Sequence, residues 1–223
     1  MRTQGVFYLE SSAACIVLRT NEIYNLSKFI LEENFNHHTK KDDFKSIKKD
    51  ILSVYEEEIE YVQNSKIFVS SDSLGKITGS IRVLRWNFID KLPIQSLFGI
   101  NPLLTIEDKP FNDIWHIGRF AIKKGVKDAN LFKKLMVSAI SPVGSHTENI
   151  AFAECDSKLL RVMSLLGIKA KVVGKSINYL GSETIPVSFS YTDLLGFYEE
   201  NKHLISNQNL LEETTFDKNY TFV

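Results

Sequence analysis

Apolar residues recur at helical spacing twice in the first third of the chain. Ile23, Leu26, Phe29 and Ile30 follow Thr20, which stands at an N-cap position, so a helix is predicted to begin there. Phe44, Ile47, Ile51, Val54, Tyr55, Ile59 and Val62 form a longer stripe, with Lys48, Lys49, Asp50, Glu56, Glu57 and Glu60 mostly off it. That pattern predicts an amphipathic helix packed on something flat. Residues 14–19 read as a strand ahead of the first helix. Residues 36–43 hold His37 and His38 but no apolar anchor, so they read as a mobile connection.

The pattern then shortens. Residues 66–71 and 77–86 read as two strands joined by Asp72-Ser73-Leu74-Gly75, which predicts an antiparallel hairpin. Residues 87–113 contain Pro93, Pro102 and Pro110 and keep no period, so they form a long insertion with Leu97, Phe98, Leu103 and Leu104 available to pack. A strand at 114–122 leads to a helix carrying Leu131, Phe132, Leu135, Met136 and Ile140, with Asp128 as N-cap and Pro142 and Gly144 as terminators. A strand at 149–154 and a helix capped by Asp156 and stopped by Gly167 follow. Strands at 169–173 and 185–189 and a helix at 191–203 complete the pattern. This order specifies an α/β (α+β) fold: one mixed central sheet with helices on both faces, spanning residues 1–205, and a polar tail at 206–223.

Composition removes several classes. Lys plus Arg and Asp plus Glu number 27 each in 223 residues, so no global positive field recommends a nucleic-acid partner. Two cysteines, Cys15 and Cys155, fit neither a disulfide framework nor a metal-ligand spacing, and suit a reducing cytoplasmic setting without a metal. No apolar run approaches the roughly 20 residues of a membrane span. Glu10 interrupts Val6-Phe7-Tyr8-Leu9 near the N-terminus, which lacks a signal peptide's long uncharged centre, so the protein is expected to stay where it is made.

Candidate chemistry concentrates at 114–127. The run Ile114-Trp115-His116-Ile117-Gly118-Arg119-Phe120-Ala121-Ile122 feeds through Lys123-Lys124-Gly125-Val126-Lys127 into a helix, a layout that aims backbone N–H groups and a helix N-terminus at a phosphate. The lysine turn is otherwise a solvated loop. His116 is suited to move a proton near neutrality, or else is a core histidine. Strand alternation puts His116 and Arg119 on opposite faces unless a bulge near Gly118 intervenes. Arg82 and Arg119 lie in apolar strands and need carboxylates or a substrate anion, with Glu154 and Asp113 as candidate internal partners. Cys155 reads as a buried thiol; Ser157, after the capping Asp156, is positioned to protonate a leaving group.

Three segments resemble a known family. Gly79-Ser80-Ile81-Arg82-Val83-Leu84 is similar to a Gly-x-x-Arg-Leu-Leu strand, Leu92-Pro93 through Leu97-Phe98 to the insertion after it, and Trp115-His116-Ile117-Gly118-Arg119-Phe120 to a Glu-Leu-Ser-Arg-Phe strand. These features belong to the GNAT acyltransferase superfamily, and within it to the acyl-homoserine lactone and N-acyl amino acid synthases. His116 stands where that family has glutamate and Gly118 where it has serine.

The resemblance implies a GNAT-like, mostly antiparallel sheet of about seven strands, splayed into a V between the fourth and fifth, here 114–122 and 149–154. It implies an N-acyltransferase that takes an acyl group from a coenzyme A thioester or from the phosphopantetheine of an acyl carrier protein to the amine of an amino acid or similar small metabolite. An acetyl-CoA-dependent acetyltransferase and a non-catalytic acyl-thioester-binding module are the alternatives. On this reading His116, Arg119 and Ser157 are catalytic. Gly118, Phe120, Ala121, Ile122, Lys123, Lys124, Gly125, Lys127 and Asn130 hold the donor, and Arg82, Trp86, Leu97, Phe98 and Trp115 line the substrate side.

Overall fold

The computed structural model describes residues 5–8, 15–17, 20–38, 44–106, 110–180 and 182–205. The connection at 39–43 and the tail from 206 lie outside them. Two short strands open the chain, β1 (Gly5–Tyr8) and β2 (Cys15–Val17), the first of them absent from the sequence reading. The two amphipathic patterns become α1 (Thr20–His38) and α2 (Phe44–Tyr61), α1 running through residues 36–38 that the pattern assigned to a connection. The hairpin forms as expected, from β3 (Ser65–Ser71) and β4 (Ile77–Arg85).

The 87–113 insertion differs from its expectation. It holds two short helices, α3 (Pro93–Phe98) and α4 (Pro102–Thr105), each with proline in its first turn. A proline there gives up an N–H that has no helical partner anyway, so two of the residues read as breakers act as helix starters. The rest follows the predicted alternation, with one strand, β8, that the pattern did not show: β5 (Ile114–Ile122), α5 (Leu131–Val143), β6 (Ile150–Asp156), α6 (Ser157–Leu165), β7 (Lys171–Val172), β8 (Ile177–Tyr179), β9 (Ser182–Ser190) and α7 (Tyr191–Asn201). Asp156 caps α6 by accepting the Leu159 N–H at 2.8 Å, as its position predicts.

The strands form one sheet in the order β2-β1-β3-β4-β5-β6-β9-β7, with β8 on β9. Its neighbours are antiparallel except β1–β3 and β5–β6. Alternation along the strands divides the core. Ile81 and Val83, Trp115 and Ile117, and Ala151 and Ala153 bury against Leu135, Met136 and Ile140 of α5 and against α7. On the other face, Ile67, Val69 and Ala121 meet Leu26 and Ile30 of α1, while Leu84, Ile114 and Phe152 meet Tyr61 and the insertion.

One break in this sheet positions everything that follows. The parallel β5–β6 ladder runs from Ile114 opposite Ile150 only to Ile117 opposite Ala153. Beyond that rung both strands continue apart, so the fourth and fifth strands of the predicted core open into the expected V.

Candidate active site

The site starts with a buried polar cluster beneath α2. Arg82 lies between Ile81 and Val83, which face α5, so alternation sends its guanidinium to the α2 side at 1% exposure. Glu58 awaits it there. In α2 it continues the stripe of Ile51 and Val54 at helical spacing, and it is also 1% exposed. Arg82 Nη1 donates to Glu58 Oε1, while its Nη2 stands 3.6 Å from Glu57 Oε1. The guanidinium also lies over the Tyr61 ring, 5.1 Å from its centroid.

Arg119 joins the same cluster by a backbone distortion. Arg82 pairs with Gly118 but Ser80 pairs with Ala121, so β5 carries one extra residue between those rungs. Arg119 adopts φ 56, and the bulge returns its side chain to the α2 face shared by His116. Its Nε donates to Glu58 Oε1 at 2.8 Å and its Nη2 lies 2.7 Å from Glu57 Oε2. The carboxylate partners are thus Glu57 and Glu58, in place of the expected Glu154 and Asp113; Asp113 instead binds Arg85.

Burial works to raise the Glu57 carboxyl, but the charges of Arg119 and Arg82 outweigh it and hold it below its ordinary value. A depressed carboxyl favours the fold above the unfolded pKa, and its contribution is lost as pH falls through the folded one. Glu57→Gln should therefore flatten the acid side of the stability profile, as urea midpoints at pH 7 and at successively lower pH will read. An unchanged acid limb would remove Glu57 from the account.

His116, 1% exposed, sits one rung before the strands part. Its Nε2 is 2.8 Å from Glu154 Oε2, across the mouth of the V. With that nitrogen donating to the carboxylate, the neutral ring presents Nδ1 as an acceptor, and Nδ1 is buried without a hydrogen-bond partner. Gly118 makes room for the ring: a Cβ there would lie 2.8 Å from His116 Cε1. Gly118→Ala should displace the imidazole and weaken its bond to Glu154, lowering any His116-dependent turnover at least about tenfold. Steady-state rates beside a melting curve separate this from unfolding.

A cavity of about 370 Å³ runs through the V from one face of the sheet to the other. On the α2 side its wall carries Glu57, Arg82, His116, Arg119, Glu154 and Tyr179; on the α5 side it is apolar, with Phe132, Met136, Val162, Met163, Phe189 and Leu194. Tyr179 comes from β8, stands beside Arg119, and has its phenol pushed up chiefly by burial. Asn34 Nδ2 of α1 donates to Leu180 O at 2.9 Å, tying α1 to the β8–β9 turn over the polar mouth.

The residues singled out from sequence divide between this cavity and its surroundings. Arg82, Leu97, His116, Gly118, Arg119, Phe120, Ala121 and Ile122 line it. Lys123, Lys124, Gly125, Lys127 and Asn130 form the exposed turn beyond β5, where Glu33 already accepts the Lys124 N–H at 2.9 Å. Ser157 is exposed at the start of α6. Trp115 packs in the α5-side core, and Phe98 and Trp86 pack under the insertion, Trp86 donating its indole N–H to Asp90 O. Glu57, Glu58 and Tyr179 escaped the sequence reading. A carboxylate on the apolar stripe of α2, together with two strand arginines in need of partners, was the available signal for Glu58; nothing local marks Tyr179.

Cys155 also lines the cavity, and burial, helped by Asp156 and Glu154, pushes its thiol up to about 12. It is a poor nucleophile at neutral pH. In a Cys15→Ser background the native protein should react with a thiol-specific disulfide reagent far more slowly at pH 8 than the unfolded chain; equal rates would refute a buried, protonated thiol.

Among the described residues, no group of three or more His, Cys, Asp or Glu side chains is placed to hold a metal ion, and no helix is long and apolar enough to cross a membrane. No family model matches the chain, and no curated protein does. Solved structures do share its fold. TofI, in a ternary complex with an inhibitor and MTA, superposes at TM-score 0.55 and 15% identity over 84% of this chain and 94% of its own. An uncharacterized protein from Bacillus halodurans gives 0.52 at 9% identity over 83% and 88%, and the AHL synthase LasI 0.50 at 13% over 82% and 90%. The fold is GNAT-like.

Proposed function

We propose that this protein is an N-acyltransferase that moves an acyl group from a thioester, carried by coenzyme A or an acyl carrier protein, to the amine of a small metabolite. The observation that carries this reading is the cavity through the V, polar and ionised at one end and apolar at the other, with His116 Nδ1 buried without a partner on its wall. A thioester threaded through the gap would lay its acyl chain among Met136, Met163 and Leu194, where each buried methylene is worth about 0.8 kcal/mol. That apolar limb favours chains longer than acetyl.

The chemistry needs little else. Glu154 orients the imidazole, His116 takes a proton from the acceptor ammonium, and the freed amine attacks the thioester carbonyl. A backbone N–H of the bulge between Gly118 and Ala121 that β4 leaves free would be the donor for the developing oxyanion. The similarity to LasI in fold is compatible with such a reaction. Arg82 and Arg119 support α2 and the bulge, and the exposed lysine turn offers charge to a phosphate or an acidic carrier protein.

The test is thiol release from acetyl, octanoyl and palmitoyl donors, each as coenzyme A thioester and on acyl carrier protein, with and without a mixture of primary amines. Amine-dependent release that rises from acetyl to octanoyl is expected. Preference for acetyl would favour an ordinary acetyltransferase, and no release from any donor would sink the enzymatic reading.

A further inference from the structure

On the polar wall of the cavity Glu154 Oε1 and His116 Nδ1 are buried without a hydrogen-bond partner, and Glu57 Oε1 has only the 3.6 Å ion-pair contact to Arg82 Nη2. We infer, resting on the acyl-transfer reading above, that the acceptor substrate is an amine bound as a cationic ammonium with no carboxylate beside it. An ammonium carries three N–H donors and no acceptor, so two unpartnered acceptors and a third held only by a long ion pair, all on residues of one cavity wall, suit it. His116 at 1% exposure and Glu154 with a side chain 10% exposed are both held by the sheet and by each other, so these acceptors are fixed in place.

Charge argues the same way. Arg82 and Arg119 each face both Glu57 and Glu58, which balance them one for one. Glu154 then leaves the polar end one charge negative with His116 neutral. Arg82 Nε and Arg119 Nη2 lack a well-aligned acceptor, so they are where a substrate carboxylate would have to bind. There it would be a further anion beside two guanidiniums already neutralised, which low-dielectric surroundings penalise. An α-amino acid therefore fits this end worse than its decarboxylated counterpart.

The group transfer balances without another reactant. One ammonium proton passes to His116 Nδ1 and on to solvent. The nitrogen lone pair forms the C–N bond as the C–S bond breaks, and the second proton leaves nitrogen to complete the departing thiol, giving an amide and a free thiol.

Calorimetry with matched amines tests the inference without turnover. The pairs are 1,4-diaminobutane against ornithine and 2-phenylethylamine against phenylalanine, titrated into the wild-type protein and the Glu57→Gln and Glu154→Gln variants. Binding of the carboxylate-free member about tenfold tighter or more, with that preference shrinking in both variants, is expected. Equal or tighter binding of the amino acid, or no binding of either amine, overturns the inference. Thioester release is scored separately: amines that bind with the expected preference in a protein that turns over no thioester would defeat the acyl-transfer reading while leaving the ligand class standing.

Discussion

Replacing Glu58 with glutamine will destabilise this protein by about 3–5 kcal/mol, because it strips a charge from the point where two buried guanidiniums meet. Glu58 Oε1 accepts from both Arg82 Nη1 and Arg119 Nε. Arg82 has no route to water at 1% exposure, and Glu57, the remaining partner, lies 3.6 Å from it. For a chain of this size the loss corresponds to a fall of roughly 6–20 °C in melting temperature. Adding Arg82→Met to Glu58→Gln should recover a good part of it, since an apolar side chain no longer needs the missing charge. Thermal and urea denaturation of both variants provide the check, and a single variant within about 1 kcal/mol of wild type would show that the cluster is less buried than its geometry indicates.

Changing His116 to alanine should lower acyl-transfer turnover by about 10²–10⁴-fold, the usual worth of a positioned general base. The imidazole bridges to Glu154 at 2.8 Å, and its other nitrogen is buried without a hydrogen-bond partner. A purely structural histidine would also cost stability when removed, so rate alone does not decide. Added imidazole should restore part of the activity of the alanine variant through the space left behind, and the rising limb of kcat/KM with pH should flatten. Glu154→Gln should show a smaller loss, since the ring remains but its tautomer is no longer enforced. Activity unaffected by His116→Ala would assign proton transfer elsewhere in the cavity.

The sheet was legible in the sequence because its evidence is periodic. Stripes in α1, α2 and α5, the Asp72–Gly75 turn and the Asp156 cap each state a local preference that packing then satisfies. Elements of three or four residues, β1 and β8, carry too few positions to show a period, and their pairing partners supply the stabilisation. The candidate site divides on the same line. His116, Arg82 and Arg119 stand out as polar residues in apolar strands, and the need for a bulge follows from their spacing. Their partners do not, since whether Arg119 meets Glu58 or Glu154 depends on where α2 crosses the sheet, and Tyr179 arrives from β8, far along the chain from the strand it completes.

The bond from Asn34 to the Leu180 carbonyl joins positions 146 apart in sequence. As the chain emerges from the ribosome, α1, α2 and the first five strands are complete long before residue 180 exists. Until then the face that bears Glu57, Arg119 and His116 lacks its Tyr179 cover and stays wet. Charges that would be expensive to strip of water one at a time can therefore find each other while still hydrated, and the β8–β9 hairpin, made later, is the one that shuts the water out.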